Sequence, residues 1–322
     1  MHLTIINRKR FFVRHLILVL MALLSSPYIS ADHSNEYIKQ HPLETVLANN
    51  IEIAYREIGQ KGNPKVLLIM GLGASNLVHG DNMVRGLEDL GYQILIFDNR
   101  DTGGSTRFDD WGQPTIWWQL LKNSLGLSVN APYNLDDMAK DTVALMEALD
   151  YEDAHVVGFS MGGMIAQKLA ANYPQKVRSL TSVMSTTFAR HLPPPTKEAR
   201  KALTNFSSGK SASDTTKLML ERGFFPNSMP RQMMAIFRSG DRSNEVKKIT
   251  ADTLVIHGQD DGLVPPSHGE HTASLIKNSK IVIFKDMAHN IPPLILPKML
   301  GAMTEHMQSA DLSRIMQNSE SS

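Results

Sequence analysis

Cysteine is absent from all 322 residues, which excludes disulfide stapling, thiolate metal ligands and a cysteine-linked lipid. An excess of one charge is missing too. The 33 Lys and Arg stand against 32 Asp and Glu, a formal net charge of +1, so there is no basic footprint for nucleic acid. Neither H-E-x-x-H nor a paired His spacing of a metal site occurs. The glycine-rich stretch Asn99–Thr106 lacks the G-x-x-x-x-G-K-[ST] order of a phosphate cradle. The expectation is therefore no metal, no other cofactor and no nucleic-acid partner.

Long hydrophobic runs are also scarce, and the one near the N-terminus, Leu16–Leu24, is too short to cross a bilayer comfortably. Arg8, Lys9, Arg10 and Arg14 precede it, Ser25-Ser26-Pro27 break it, and Ile29-Ser30-Ala31 offer small residues for cleavage. This reads as an export signal peptide over residues 1–31. It predicts a protein exported to a bacterial periplasm or secreted, with no stable membrane span after processing. The alternative is an uncleaved segment serving as a membrane anchor. Removing four basic residues leaves 29 against 32 acidic ones, a mature charge of about −3.

What is present is ordinary globular composition, 42% hydrophobic and 20% charged, in a length that supports a large core. After a polar segment at 32–44, Thr45–Ala48 and Ile51–Glu57 flank Asn49-Asn50, a hairpin pattern. Lys65–Met70 and Gln93–Asp98 are continuous apolar runs, as expected of parallel strands buried on both faces. Asn134 is placed to cap a helix whose apolar positions Leu135, Met138, Leu145, Met146 and Leu149 fall at helical spacing. Further strands are expected at His155–Phe159, Val177–Met184, Thr253–His257 and Lys280–Phe284. Strand alternating with helix predicts a mostly parallel sheet with crossover helices.

The alternation stops over 185–248. Three helical pieces are expected there, Thr196–Leu203, Ser213–Arg222 and Pro230–Ser239, rich in Met and Phe, as in a lid. The core thus reads as 45–184 and 249–308. A last helix is expected near Leu294–Met307 and a loose polar tail over 309–322. Trp111, Trp117 and Trp118 suggest an apolar pocket. Arg100, with Asp98 or Asp101, is expected to brace loops.

One stretch carries chemistry. Gly158-Phe159-Ser160-Met161-Gly162 is G-x-S-x-G between a predicted strand and a predicted helix, the context of a nucleophile elbow. Downstream come an acid in His257-Gly258-Gln259-Asp260-Asp261-Gly262-Leu263-Val264-Pro265 and a histidine, His289, in the loop after the last strand. On these residues and their Ser, acid, His order, the chain resembles the α/β-hydrolase superfamily from about Thr45 to Met307. The stretches Met70-Gly71-Leu72-Gly73 and Asp98–Gly103 are similar to bacterial serine esterases of the aclacinomycin methylesterase kind. Met70 departs from the histidine many relatives carry there. The donor at this loop is a main-chain N–H, so the departure leaves it available.

The resemblance implies an α/β-hydrolase fold, a mostly parallel sheet flanked by helices with a helical lid insertion. It implies Ser160 as nucleophile, His289 as base and Asp261 as the orienting acid, with Asp260 a solvated neighbour. The backbone N–H groups of Leu72 and Met161 would form the oxyanion hole. His257 is expected to be structural, and His79, His155, His268 and His271 to be bystanders. A serine at 160 argues against epoxide- and halide-opening chemistry, which attacks through a carboxylate. The expected reaction is cleavage of a small apolar carboxylic ester through an acyl-serine. Open alternatives are acyl transfer or lactone or carbon–carbon hydrolysis on the same triad, and a non-catalytic ligand-binding protein on this scaffold. Oligomeric state leaves no mark on the sequence.

Overall fold

The computed structural model describes residues 35–115, 118–119, 121–122, 125–197, 199 and 220–320. The signal-peptide segment therefore lies outside the described residues, as do Trp117 and most of the first two lid helices. In chain order the elements are α1 (Glu36–Gln40), β1 (Glu44–Ala48), β2 (Ile51–Ile58), β3 (Lys65–Ile69), α2 (Asp81–Asp89), β4 (Gln93–Phe97), α3 (Leu135–Ala148), β5 (Ala154–Phe159) and α4 (Met161–Asn172). There follow β6 (Val177–Val183), α5 (Met229–Ser239), α6 (Ser243–Val246), β7 (Thr253–Gly258), α7 (Ser267–Leu275), β8 (Ser279–Phe284) and α8 (Leu296–Glu320).

The eight strands form one sheet in the order β1-β2-β4-β3-β5-β6-β7-β8. β2 pairs antiparallel with β1 and β4, and every pair from β4 to β8 is parallel. The expected mostly parallel sheet is borne out. The hairpin turn closes as expected, with Asn49 at φ 49° and Asn50 at φ 62°, the double positive φ of a two-residue turn matched to strand twist.

The apolar runs follow from burial on two faces. In β3, Leu67 and Ile69 enter one core cluster with Val156 of β5 and Ile165 of α4, whereas Val66 and Leu68 enter a second with Ile96, Leu87 of α2 and Met303 of α8. Each such side chain, fully buried, contributes about 1.5–3 kcal/mol. α3 starts where the sequence says: Asn134 accepts from the N–H groups of Asp136 and Asp137, and the Asp137 side chain accepts in return from the N–H of Asn134.

The C-terminus differs from expectation. Instead of a loose tail, α8 continues to Glu320. Asp311 lies 3.4 Å from the buried His155 ring and 3.5 Å from Arg178, and Arg314 donates to Asp153. Ion pairs to the starts of β5 and β6 hold a segment that has little apolar periodicity to advertise. Among the described residues no helix is long and apolar enough to cross a membrane.

Candidate active site

The sheet order reverses at β3, with β4 on one side and β5 on the other, and the crevice at the carboxyl ends of such strands is where ligands bind. β5 ends at Phe159 and α4 begins at Met161, so Ser160 alone makes the turn. Its backbone sits at φ 55°, ψ −115°, a conformation costing about 1–3 kcal/mol for a residue with a side chain. Its N–H donates to the Val183 carbonyl at 2.9 Å. The flanking glycines are required by contact. A Cβ at position 162 would lie 2.0 Å from the Ile69 carbonyl oxygen, and one at 158 would lie 2.3 Å from that of Gly162.

The loop after β3 passes beside the serine: a Cβ on Gly71 would stand 3.2 Å from Ser160 Cβ. Among the described residues the N–H groups of Leu72 and Met161 have no protein acceptor. Two main-chain donors next to the serine are thus unspent.

Asp261 follows β7 and His289 follows β8, and the Asp260 N–H, donating to the Met287 carbonyl at 3.0 Å, ties the two loops together. His289 Nδ1 is 2.7 Å from Asp261 Oδ2 and His289 Nε2 is 3.0 Å from Ser160 Oγ. This geometry assigns the tautomer: Nδ1–H donates to the carboxylate and Nε2 accepts from the hydroxyl. Asp261 is 2% exposed and also accepts from the N–H groups of Leu263 at 2.9 Å and Val264 at 2.8 Å. Burial alone would raise its pKa. The electrostatic pull of the His289 ring and the bonds from His257, His289 and the Val264 N–H outweigh this and hold the carboxyl well below the usual range. Asp260 is exposed, as expected of a solvated neighbour. His257 is buried and its Nε2 bonds the Val264 carbonyl at 2.7 Å, bracing the acid loop.

A family model described as alpha/beta hydrolase fold matches residues 64–209, the span from β3 through the serine turn to β6. The chain has the α/β-hydrolase fold. The chain is 24% identical over 316 residues to the rhodomycin D methylesterase DauP of Streptomyces sp. (strain C5), covering 84% of this chain and 99% of the relative. It is 22% identical, with the same coverage, to the rhodomycin D methylesterase DnrP of Streptomyces peucetius. Among solved structures it is similar to a meta-cleavage product hydrolase (CumD) from Pseudomonas fluorescens IP01, with TM-score 0.61 and 20% identity over 83% of this chain and 98% of that one.

Beside Ser160 and His289 the protein has a cavity of about 260 Å³. Its walls are mainly apolar, including Leu72, Leu77, Met83, Phe159, Met184 and Phe224. Trp111 and Trp118 are not part of it: both are exposed and stand outside its lining. Beside Phe159 and Met184, the wall comes from the segment after β3, from α2, from Asn35 just before α1, from Phe224 and from the stretch after His289. His79, taken from sequence as a bystander, is in that wall, and its ring meets Phe159 edge-on at 5.6 Å between centroids.

Lid helix α5 is locked to the core. Arg231, 1% exposed, donates to both carboxylate oxygens of Asp101 at 2.6 and 2.7 Å and to Asp109 at 2.6 Å. Arg100 does brace a loop, but its partner is Asp141, at 2.5 and 2.6 Å, while Asp98 accepts from Asn76 and the Gly104 N–H. Next to Arg231, the buried Gln232 accepts from the Gly73 N–H at 2.7 Å and donates to the Arg100 carbonyl at 3.0 Å. Sequence reasoning missed Gln232. A lone glutamine in a helix carries no signal of a partner 159 positions away.

Proposed function

We propose that the protein hydrolyses carboxylic esters through an acyl-serine formed on Ser160. The observation that carries the reading is His289, whose two ring nitrogens lie 3.0 Å from the Ser160 hydroxyl and 2.7 Å from the Asp261 carboxylate. Ser160 Oγ attacks the ester carbonyl carbon as its proton passes to His289 Nε2. Asp261, kept ionised, stabilises the imidazolium and fixes its orientation. The negative oxygen of the tetrahedral intermediate takes the N–H groups of Leu72 and Met161, each such donor being worth about 10² to 10³ in turnover.

The intermediate collapses by breaking the bond to the alcohol oxygen, which leaves with the proton from His289. Water then attacks the acyl-serine, gives its proton to His289 and releases the acid and the free hydroxyl. The methylesterase relatives DauP and DnrP support an ester as the substrate. The apolar cavity supports an apolar body on that ester.

The test is Ser160→Ala assayed on a chromogenic short-chain ester, with a fluorophosphonate probe on the wild type. The expected outcome is loss of at least about 10³-fold in kcat/KM, with covalent labelling at Ser160 only. Retained turnover in the variant refutes the reading.

A further inference from the structure

The cavity wall holds two buried polar side chains with unmet hydrogen-bonding capacity. Asn35 is 3% exposed and its Oδ1 has no partner; His79 is 8% exposed and neither ring nitrogen meets a partner at hydrogen-bond geometry. Both residues line the cavity that also contains Ser160 and His289. Asp81, two positions beyond His79, accepts from the N–H groups of Tyr37 at 2.9 Å and Ile38 at 3.0 Å, which seats the segment that begins at Asn35. Buried polar atoms without partners are uncommon in native proteins, and each is destabilising until something bonds it. A cavity meant only for alkyl chain gains nothing from them.

The unmet groups have definite chemistry. Asn35 Oδ1 accepts only. Burial drives the His79 pKa down to about 3, against the pull of the Leu68 carbonyl, so its ring is neutral at ordinary pH, with one nitrogen donating and one accepting. A hydroxyl matches both, since its proton satisfies an acceptor while its oxygen takes a donor. A plain methylene chain matches neither. The volume of about 260 Å³ admits an apolar body of roughly ten carbon atoms, by comparison with a cavity of about 150 Å³ that holds benzene.

Resting on the esterase reading above, we propose that the substrate is a hydroxylated ester. Its apolar body of medium length fills the cavity and its hydroxyl is held by Asn35 and His79. Asn35, a few positions past the expected cleavage at Ala31, is then part of the specificity site.

Two ester series test this: p-nitrophenyl decanoate with its monohydroxylated isomers, the hydroxyl walked from mid-chain to the terminal carbon, and decyl acetate with the corresponding diol monoacetates. In the wild type one isomer is expected to exceed the unsubstituted ester about tenfold or more in kcat/KM, as two hydrogen bonds made only by that isomer permit. In Asn35→Leu and in His79→Phe the ratio is expected to narrow to within about threefold. The proposal is overturned if the unsubstituted ester equals or beats every isomer in both series, or if the preference survives both variants unchanged. Should His79→Phe not fold, Asn35→Leu and the wild-type series still decide. Ser160→Ala separates the two readings. Loss of turnover there, without a hydroxyl preference in the wild type, overturns this inference alone; turnover retained there overturns the esterase reading first.

Discussion

Two adjacent aspartates behave oppositely because one is buried among donors and the other faces water. Asp261 spends one oxygen on two backbone N–H groups and the other on His289, whereas the exposed Asp260 uses only its backbone, toward Met287. Asp261→Asn is expected to lower kcat by about 10³- to 10⁴-fold, since an amide no longer favours the Nδ1–H tautomer or the imidazolium. Asp260→Asn is expected to stay within about threefold. Steady-state kinetics of the pair on one ester checks this, and equal losses would reject the assignment. The choice between them was legible because the acid motif of the resemblance counts to the second aspartate. His79 and Asn35 were not legible, because nothing local to either residue shows that a cavity wall passes through both.

At the scale of elements, α5 serves as a clamp on the loop that carries Leu72. Gly73 is held at both polar groups, its N–H by Gln232 and its carbonyl by the N–H of Phe225 at 2.6 Å. Gln232→Leu orphans the buried Gly73 N–H, at a cost of about 1–3 kcal/mol, and frees the loop to shift. Gln232 is a positioning residue on this argument. The expected result is a fall in kcat of about 10- to 100-fold with KM within about threefold, because the Leu72 donor matters most when charge develops. An unchanged kcat beside a lowered melting temperature would mean the bond is structural only. The sequence marked α5 as a helix by its periodicity and its following Gly240, but not its tie to Gly73, which is a tertiary contact. α8 shows the same division: a helix over about Leu294–Met307 was expected, while its last turns depend on Asp153, His155 and Arg178 elsewhere in the chain.

For the whole molecule, the parallel sheet was legible because strands buried on both faces read as unbroken apolar runs, as β3 and β4 do after their first residues, Lys65 and Gln93. The same burial sets a pH dependence. His79 is pushed down to about 3 by burial. His155 is pushed down to about 4 by burial, Asp311 pulling upward and Arg178 and His306 opposing it. Between the unfolded value of 6.5 and these folded values the unfolded chain binds protons that the folded one does not. Stability is therefore full above about pH 6.5 and falls on acidification, by up to about 1.4 kcal/mol per pH unit for each histidine. Melting temperatures from pH 7 to pH 4 should drop in the wild type and drop less in the combined His79→Phe and His155→Gln variant; parallel curves would reject the attribution.

The two rims of the sheet have separate duties. Ser160, Asp261, His289 and Leu72 all stand beyond the carboxyl ends of parallel strands, while the ties to α8 gather at the amino ends of β5 and β6. Loops at the carboxyl rim can therefore be exchanged without disturbing the anchorage at the opposite rim, which makes this chain a scaffold on which the pocket and the folding can be altered independently.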